Sequence, residues 1–206
     1  MVERNQKFEI SVEFNFVEEN DWIWHSLSTA GFDLALNWSD KRLTGTAIVS
    51  APSQELAFNL FQITAALAGL RILKVDLGLV SISDIAEELD VSRETVRLWT
   101  EGKRRSNFPV PFAQVGGSNI WTWSDVYEWA SKYQKNSLPK YKPLSAAFAQ
   151  SINGNLANDP IIDYSAYSLI RSLGYNPSGL TQWPWNPKKL SESKSWSNSE
   201  QNRFVS

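Results

Sequence analysis

The chain has 206 residues, no cysteine and a single histidine, His25. The first absence removes disulfides, thiolate metal sites and a cysteine nucleophile, and the second removes any triad or metal cluster that needs two imidazoles. No catalytic group, cofactor or metal is therefore expected, and the chain is not expected to be an enzyme. There is no apolar run long enough to span a bilayer, and the first residues alternate in polarity instead of forming a charged-then-apolar leader. A cytoplasmic protein without a membrane partner is the expectation. Carboxylate pairs do occur, at Glu18-Glu19 and Glu87-Glu88. Sequence neighbours diverge on a helix and do not converge on one substrate atom, so they read as solvated surface.

What the chain does have is apolar and aromatic side chains, 42% and 13% of the total, enough for one or two small cores. Its formal charge of −2 is unevenly spread. Residues 1–78 hold 6 basic and 10 acidic side chains, residues 79–133 hold 6 and 8, and residues 134–206 hold 8 and 4. Between Arg93 and Trp123 the balance turns to 5 basic against 2 acidic, with Lys103-Arg104-Arg105 as the densest positive run. A small basic footprint on an acidic body suits specific, salt-sensitive nucleic-acid binding better than general coating.

Strict alternation from Lys7 to Phe16 places Phe8, Ile10, Val12, Phe14 and Phe16 on one face of a strand. A helix over Asn20–Ala30 ended by Gly31, strands over Phe32–Trp38 and Leu43–Ser50, and a helix capped by Ser53 follow. Leu56, Leu60, Ile63, Leu67 and Leu70 give that helix a stripe. Arg71–Leu77 closes the unit as a strand with Leu73, Val75 and Leu77 alternating. The order βαββαβ over residues 1–78 predicts a ferredoxin-like α/β sandwich, whose role is dimerisation, ligand sensing or plain scaffolding.

The run from Ser81 to Trp99 reads as two short amphipathic helices joined by a tight turn. Ile82, Ile85, Ala86 and Leu89 share one face, Val91 sits in the connection, and Val96 and Trp99 give the second helix an inward side. Ser92 is placed to cap that second helix, which leaves Arg93, Glu94 and Arg97 outside. Arginine bonds guanine bidentately in the major groove, and a carboxylate accepts from cytosine N4.

After the basic run comes Phe108-Pro-Val-Pro-Phe112, extended because residues before proline avoid the helical region. A hairpin is predicted from Phe112–Val115 and Ile120–Trp123 around the turn Gly116-Gly-Ser-Asn119, then a helix over Asp125–Tyr133 capped by Ser124, with Val126 and Trp129 inward. Trp121, Trp123 and Trp129 read as core of the hairpin and last helix in preference to base-stacking platforms, and His25 as structural.

These residues together resemble the winged helix-turn-helix of the MerR and excisionase type. The likeness rests on Ser81-Ile82, Ile85-Ala86, Val91-Ser92, Glu94-Thr95-Val96-Arg97 and Trp99, then Phe108-Pro109-Val-Pro111, Gly116-Gly117, Trp121 and Trp123-Ser124-Asp125-Val126 with Trp129. It implies that the second helix enters the major groove through Ser92, Arg93, Glu94, Thr95 and Arg97, and that a wing carrying Gly117, Ser118 and Asn119 meets the flanking backbone. MerR-like regulators usually begin with this unit and continue into a dimerising coiled coil and a metal or drug pocket. Here an α/β unit comes first and no long heptad follows, so a metal response is not implied. The two-part layout also resembles small bacterial helix-turn-helix proteins with an N-terminal α/β domain.

The expected organisation is thus an α+β chain: the sandwich at 1–78, the winged helix-turn-helix at 79–134, a helical extension at 139–174 and a flexible tail at 175–206. In the extension Leu144–Leu156 and Tyr164–Leu173 read as helices, which cover the winged unit or form a dimer contact. Trp183, Trp185 and Trp196 in the tail either anchor a protein partner or fold back. The expected partner is double-stranded DNA, bound sequence-specifically by a bacterial or phage regulator or recombination accessory factor, with a homodimer as one possible form. Lys103, Arg104 and Arg105 join the phosphate contacts. The alternative is an adaptor that uses the winged unit and tail to hold a protein; RNA is disfavoured because its major groove excludes side chains.

Overall fold

The computed structural model describes residues 5–28, 33–133 and 138–158. The helix expected over Tyr164–Leu173, the stop at Gly31 and the tail from residue 175 lie outside the described residues. The protein is a mixed α+β chain with two cores.

The first core belongs to a sheet of β1 (Gln6–Phe14), β2 (Asp33–Ser39), β3 (Arg42–Ala51) and β4 (Ile72–Val75) in the order β2-β3-β1-β4, all neighbours antiparallel. Alternation in β1 buries Phe8, Ile10, Val12 and Phe14 against α1 (Asp21–Ser28) and α2 (Gln54–Leu67). Ser53 caps α2 as expected, its Oγ accepting from the Leu56 amide at 3.3 Å. Leu60 and Ile63 of the stripe are buried and Leu56 and Leu67 are half-buried, but Phe58 and Phe61 contribute the larger side chains to this core.

Two expectations for this sheet need correction. Phe16 lies beyond the end of β1 and is 47% exposed, because the chain leaves the sheet at Asn15, whose side chain and amide bond Arg71. In β4 the buried pair is Ile72 and Val75, while Leu73 faces solvent. A register shift opposite Glu13 and Phe14 inserts an extra residue and breaks the period of two.

The second core is smaller. It joins β5 (Leu79–Val80), α3 (Ile82–Glu88), α4 (Arg93–Thr100), β6 (Ala113–Val115), β7 (Ser118–Thr122) and α5 (Trp123–Ser131), with strands in the order β5-β7-β6. Ile85, Ala86, Leu89, Val96, Trp99, Trp121, Val126 and Trp129 are buried together. The helix α5 starts at Trp123, preceded by Thr122, so Ser124 is not its cap; Ser124 Oγ instead accepts from the Ala146 amide at 3.0 Å.

The remaining elements return to the first unit. A two-residue strand, β8 (Lys142–Pro143), pairs in parallel with β1, and α6 (Ala146–Asn158) buries Ala149 in the first core, with Phe148, Ile152 and Leu156 packed against it. The helix expected at Leu144–Leu156 therefore covers the first unit and not the second. Asn153 stands in for a strand at the edge of β4: its Nδ2 donates to the Val75 carbonyl at 2.9 Å and its Oδ1 accepts from the Val75 amide at 2.7 Å. No helix among the described residues is long and apolar enough to cross a membrane.

Candidate nucleic-acid interface

Short helices in water need external help, and α3 and α4 obtain it from caps and a shared core. Ser81 and Asp84 close a capping box at the start of α3: Ser81 Oγ accepts from the amides of Ser83 and Asp84, and Asp84 Oδ2 accepts from the Ser81 amide at 2.8 Å. The turn that follows uses Asp90 at a φ of 50°, a left-handed conformation that aspartate tolerates better than most residues. The Val91 amide then donates to the Ala86 carbonyl at 2.9 Å, which fixes the angle between the helices.

Ser92 caps α4 by accepting from the Thr95 amide at 3.1 Å, and its hydroxyl also meets Thr95 Oγ1 at 2.9 Å. Both Ser92 and Thr95 are thus engaged in holding the helix start. Val96 and Trp99 point into the core, so Arg93, Glu94 and Arg97 project outward, all exposed. Gly102, at a φ of 68°, ends the helix, and the Lys103 amide reaches back to the Leu98 carbonyl at 2.9 Å.

The cations on this surface are not equivalent. Arg97 is forked between two carboxylates of its own helix: Nε and Nη2 donate to Glu94 at 2.8 and 2.6 Å, and Nη1 donates to Glu101. Lys103 extends the chain, its Nζ 2.7 Å from Glu101. Bonding to Arg97 holds the Glu94 carboxyl below the usual carboxylate range, Lys103 with Arg97 does the same to Glu101, and the two glutamates raise Arg97 above the usual arginine value. Arg105 sits at a φ of 71° with its guanidinium 5.7 Å from the Trp99 ring and 5.3 Å from the Tyr133 ring, so its role here is packing. Among the described residues, Arg93 and Arg104 make no ion pair.

The segment after α4 is stapled by indoles. Trp129 Nε1 donates to the Ser106 carbonyl at 3.1 Å and Trp121 Nε1 to the Pro109 carbonyl at 3.0 Å, while Phe108 packs edge-on against both rings. The buried Trp121 and Trp129 and the half-buried Trp123 are accordingly core residues. The hairpin turns on Gly116 and Gly117 alone, both at positive φ as a two-residue turn requires. Ser118 and Asn119, expected in the turn, belong to β7 as partners of Val115 and Gln114, and remain exposed beside Gly117. The strand β5, which no sequence signal announced, pairs Leu79 and Val80 with Thr122 and Trp121 and anchors the hairpin to the helix pair.

Sequence reasoning also missed the Glu101 contact, although Glu94, Arg97 and Glu101 stand at the i, i+3 and i, i+4 spacings that bring helix side chains together. His25 is exposed on α1 with its ring 6.4 Å from that of Trp22. No group of three His, Asp or Glu side chains able to hold a metal occurs among the described residues. No family model matches the chain, and neither the curated proteins nor the solved structures contain a match.

Proposed function

We propose that this protein binds double-stranded DNA sequence-specifically, with α4 in the major groove, the β6–β7 hairpin on the adjoining backbone, and a bacterial or phage regulatory or recombination role. On this reading residues 79–133 form a MerR/excisionase-type winged helix-turn-helix, and the first unit is a ferredoxin-like sandwich, as its βαββαβ order and antiparallel β2-β3-β1-β4 sheet favour. The single observation that carries the reading is the outward side of α4. It presents Arg93, Glu94 and Arg97 on a helix held by caps and core, with Lys103 and Arg104 directly after it.

The fork around Arg97 gives that side chain a defined orientation before any ligand arrives, and exposed ion pairs are weak enough to open when a better acceptor is offered. Guanine O6 and N7 are such acceptors, while Glu94, released or retained, accepts from cytosine N4 and repels a misplaced phosphate. Arg93, Lys103 and Arg104 supply the sequence-independent attraction, helped by the backbone at Gly117 with Ser118 and Asn119. Arg105 acts indirectly by fixing the loop against Trp99.

The test is a salt titration of duplex binding with two variants. Three phosphate-neutralising cations give a slope of log affinity against log salt of about −3. Arg97→Ala reduces discrimination between preferred and other sites by about 1–3 kcal/mol, whereas Arg104→Ala weakens all sites alike and lowers the slope magnitude by about 1. Equal losses on every sequence from both variants contradict the division of roles.

The adaptor reading draws on one observation, the apolar exposure around the hairpin, where Val110 is 83% and Val115 66% exposed. A partner captured through this surface survives nuclease treatment; a complex that disappears with the DNA does not support it.

A further inference from the structure

The two long sides of the first sheet are treated differently. On one side β1 is covered by β8 and β4, and the outer edge of β4 is closed by the two hydrogen bonds from Asn153. On the other side β2 has a single neighbour, β3, and among the described residues nothing pairs with its outer edge. Among the described residues, alternate amides and carbonyls of a seven-residue strand therefore find no backbone partner there.

Natural sheets blunt such an edge with proline, a bulge or an inward charge. This strand has none of them: its register with β3 runs unbroken from Asp33 to Ser39, and residues 34–39, Leu-Ala-Leu-Asn-Trp-Ser, carry no charge or proline. Its inner side is also incompletely covered. Leu34, Leu36 and Trp38 are only half-buried, and the helix above them exposes its indoles, Trp22 at 49% and Trp24 at 39%, with the Trp24 ring 5.6 Å from that of Trp38. An open backbone edge and an aromatic ledge thus lie side by side.

We infer that this edge is the homodimer surface, with β2 pairing antiparallel to β2 of a second copy about a two-fold axis perpendicular to the sheet. Centring the pair on Leu36 sets Leu34 opposite the partner's Trp38, Ala35 opposite the partner's Asn37, and Asp33 opposite the partner's Ser39. No charge meets a like charge in that register, and the apolar side stays on the helix layer, where the two α1 helices bring their indoles together. Any other strand needs a sequence that matches this alternation; a second copy matches it by symmetry. The inference does not require the DNA reading, and it adds to that reading two α4 helices related by the same axis.

The test uses the full chain without DNA. Sedimentation equilibrium is expected to give twice the 23.3 kDa chain mass. Ala35 and Asn37 are exposed, so Ala35→Lys with Asn37→Lys leaves the core intact while setting lysines opposite each other. That variant is expected to sediment as a monomer with an unchanged circular dichroism spectrum, and mixing it with Ala35→Glu with Asn37→Glu restores a dimer. A wild type that stays monomeric at about 100 μM, as when the chain's own remaining residues or another protein occupy the edge, overturns the inference. A dilysine variant that still dimerises, or a mixture that does not associate, overturns it as well. None of these results depends on whether duplex DNA is bound.

Discussion

Gly45 shows how a single residue can decide the packing of the first unit. It lies in β3 between Val12 and Leu36, and a methyl group there would come within 2.7 Å of Phe14 Cε2 and 2.9 Å of Leu36 Cδ2. Both neighbours belong to the inner side of the sheet, where Phe14 also meets Phe61 at a ring separation of 6.0 Å. Gly45→Ala is accordingly expected to cost about 1–3 kcal/mol by forcing these side chains off their preferred rotamers, read as a lowered midpoint in denaturant. An unchanged midpoint contradicts the packing described. Trp99 makes a different point: among the described residues its buried indole N–H meets no acceptor, in contrast to those of Trp121 and Trp129. The ring is kept for what it carries, Trp129 at 5.0 Å on one side and Arg105 on another.

At the scale of elements, the contact between α6 and β4 is the clearest case of a side chain doing the work of a strand. Asn153→Ala removes both partners of the buried Val75 backbone and is expected to destabilise the protein by about 1–3 kcal/mol, with faster hydrogen exchange at the Val75 amide. If exchange at that amide is unaltered, the edge is not closed this way. The elements themselves were legible wherever the information was local. Alternation of Phe8, Ile10, Val12 and Phe14 marked β1, Ser53 marked the start of α2, and Gly116-Gly117 marked the hairpin. Two of the failures are non-local. The burial of Ile72 in place of Leu73 follows from how β4 pairs with a strand some sixty residues earlier: opposite the consecutive Glu13 and Phe14, β4 pairs Lys74 and Ile72 and leaves Leu73 out. Thr122 and Ser124 both have capping chemistry, and the choice between them goes with Thr122 donating to Asp125 at 2.6 Å while Ser124 is taken by the amide of Ala146. For the candidate site the sequence revealed the helix pair and its outward residues, but not that Arg105 would turn back onto Trp99 and Tyr133.

Across the whole molecule, the two units are joined by specific contacts more than by extensive packing. The Trp123 amide donates to the Gly78 carbonyl at 2.7 Å and the Ala146 amide to Ser124 Oγ at 3.0 Å. One contact between units is unfavourable: Glu9 on β1 is half-buried and repelled by Glu88 on α3, and burial first, then that charge, raises its carboxyl above the ordinary value of 4.5. A raised carboxyl favours the folded state below the ordinary value, and this contribution is lost as pH climbs through the raised one. Glu9→Gln is therefore expected to raise the melting temperature at pH 7 and to lose that advantage near pH 4. An equal gain at both pH values contradicts the assignment. The same acidic body keeps the overall charge at −2 while the positive side chains gather after Arg93, a distribution that suits binding at one edge of the molecule.

The central claim of the proposed function is that the outer side of α4 reads base pairs. Selection of bound duplexes from a random pool tests it directly. An enriched consensus that weakens when Arg97 is replaced by alanine is predicted, with two half-sites if the β2 dimer forms. A pool recovered without enrichment, or a consensus unchanged in that variant, contradicts it.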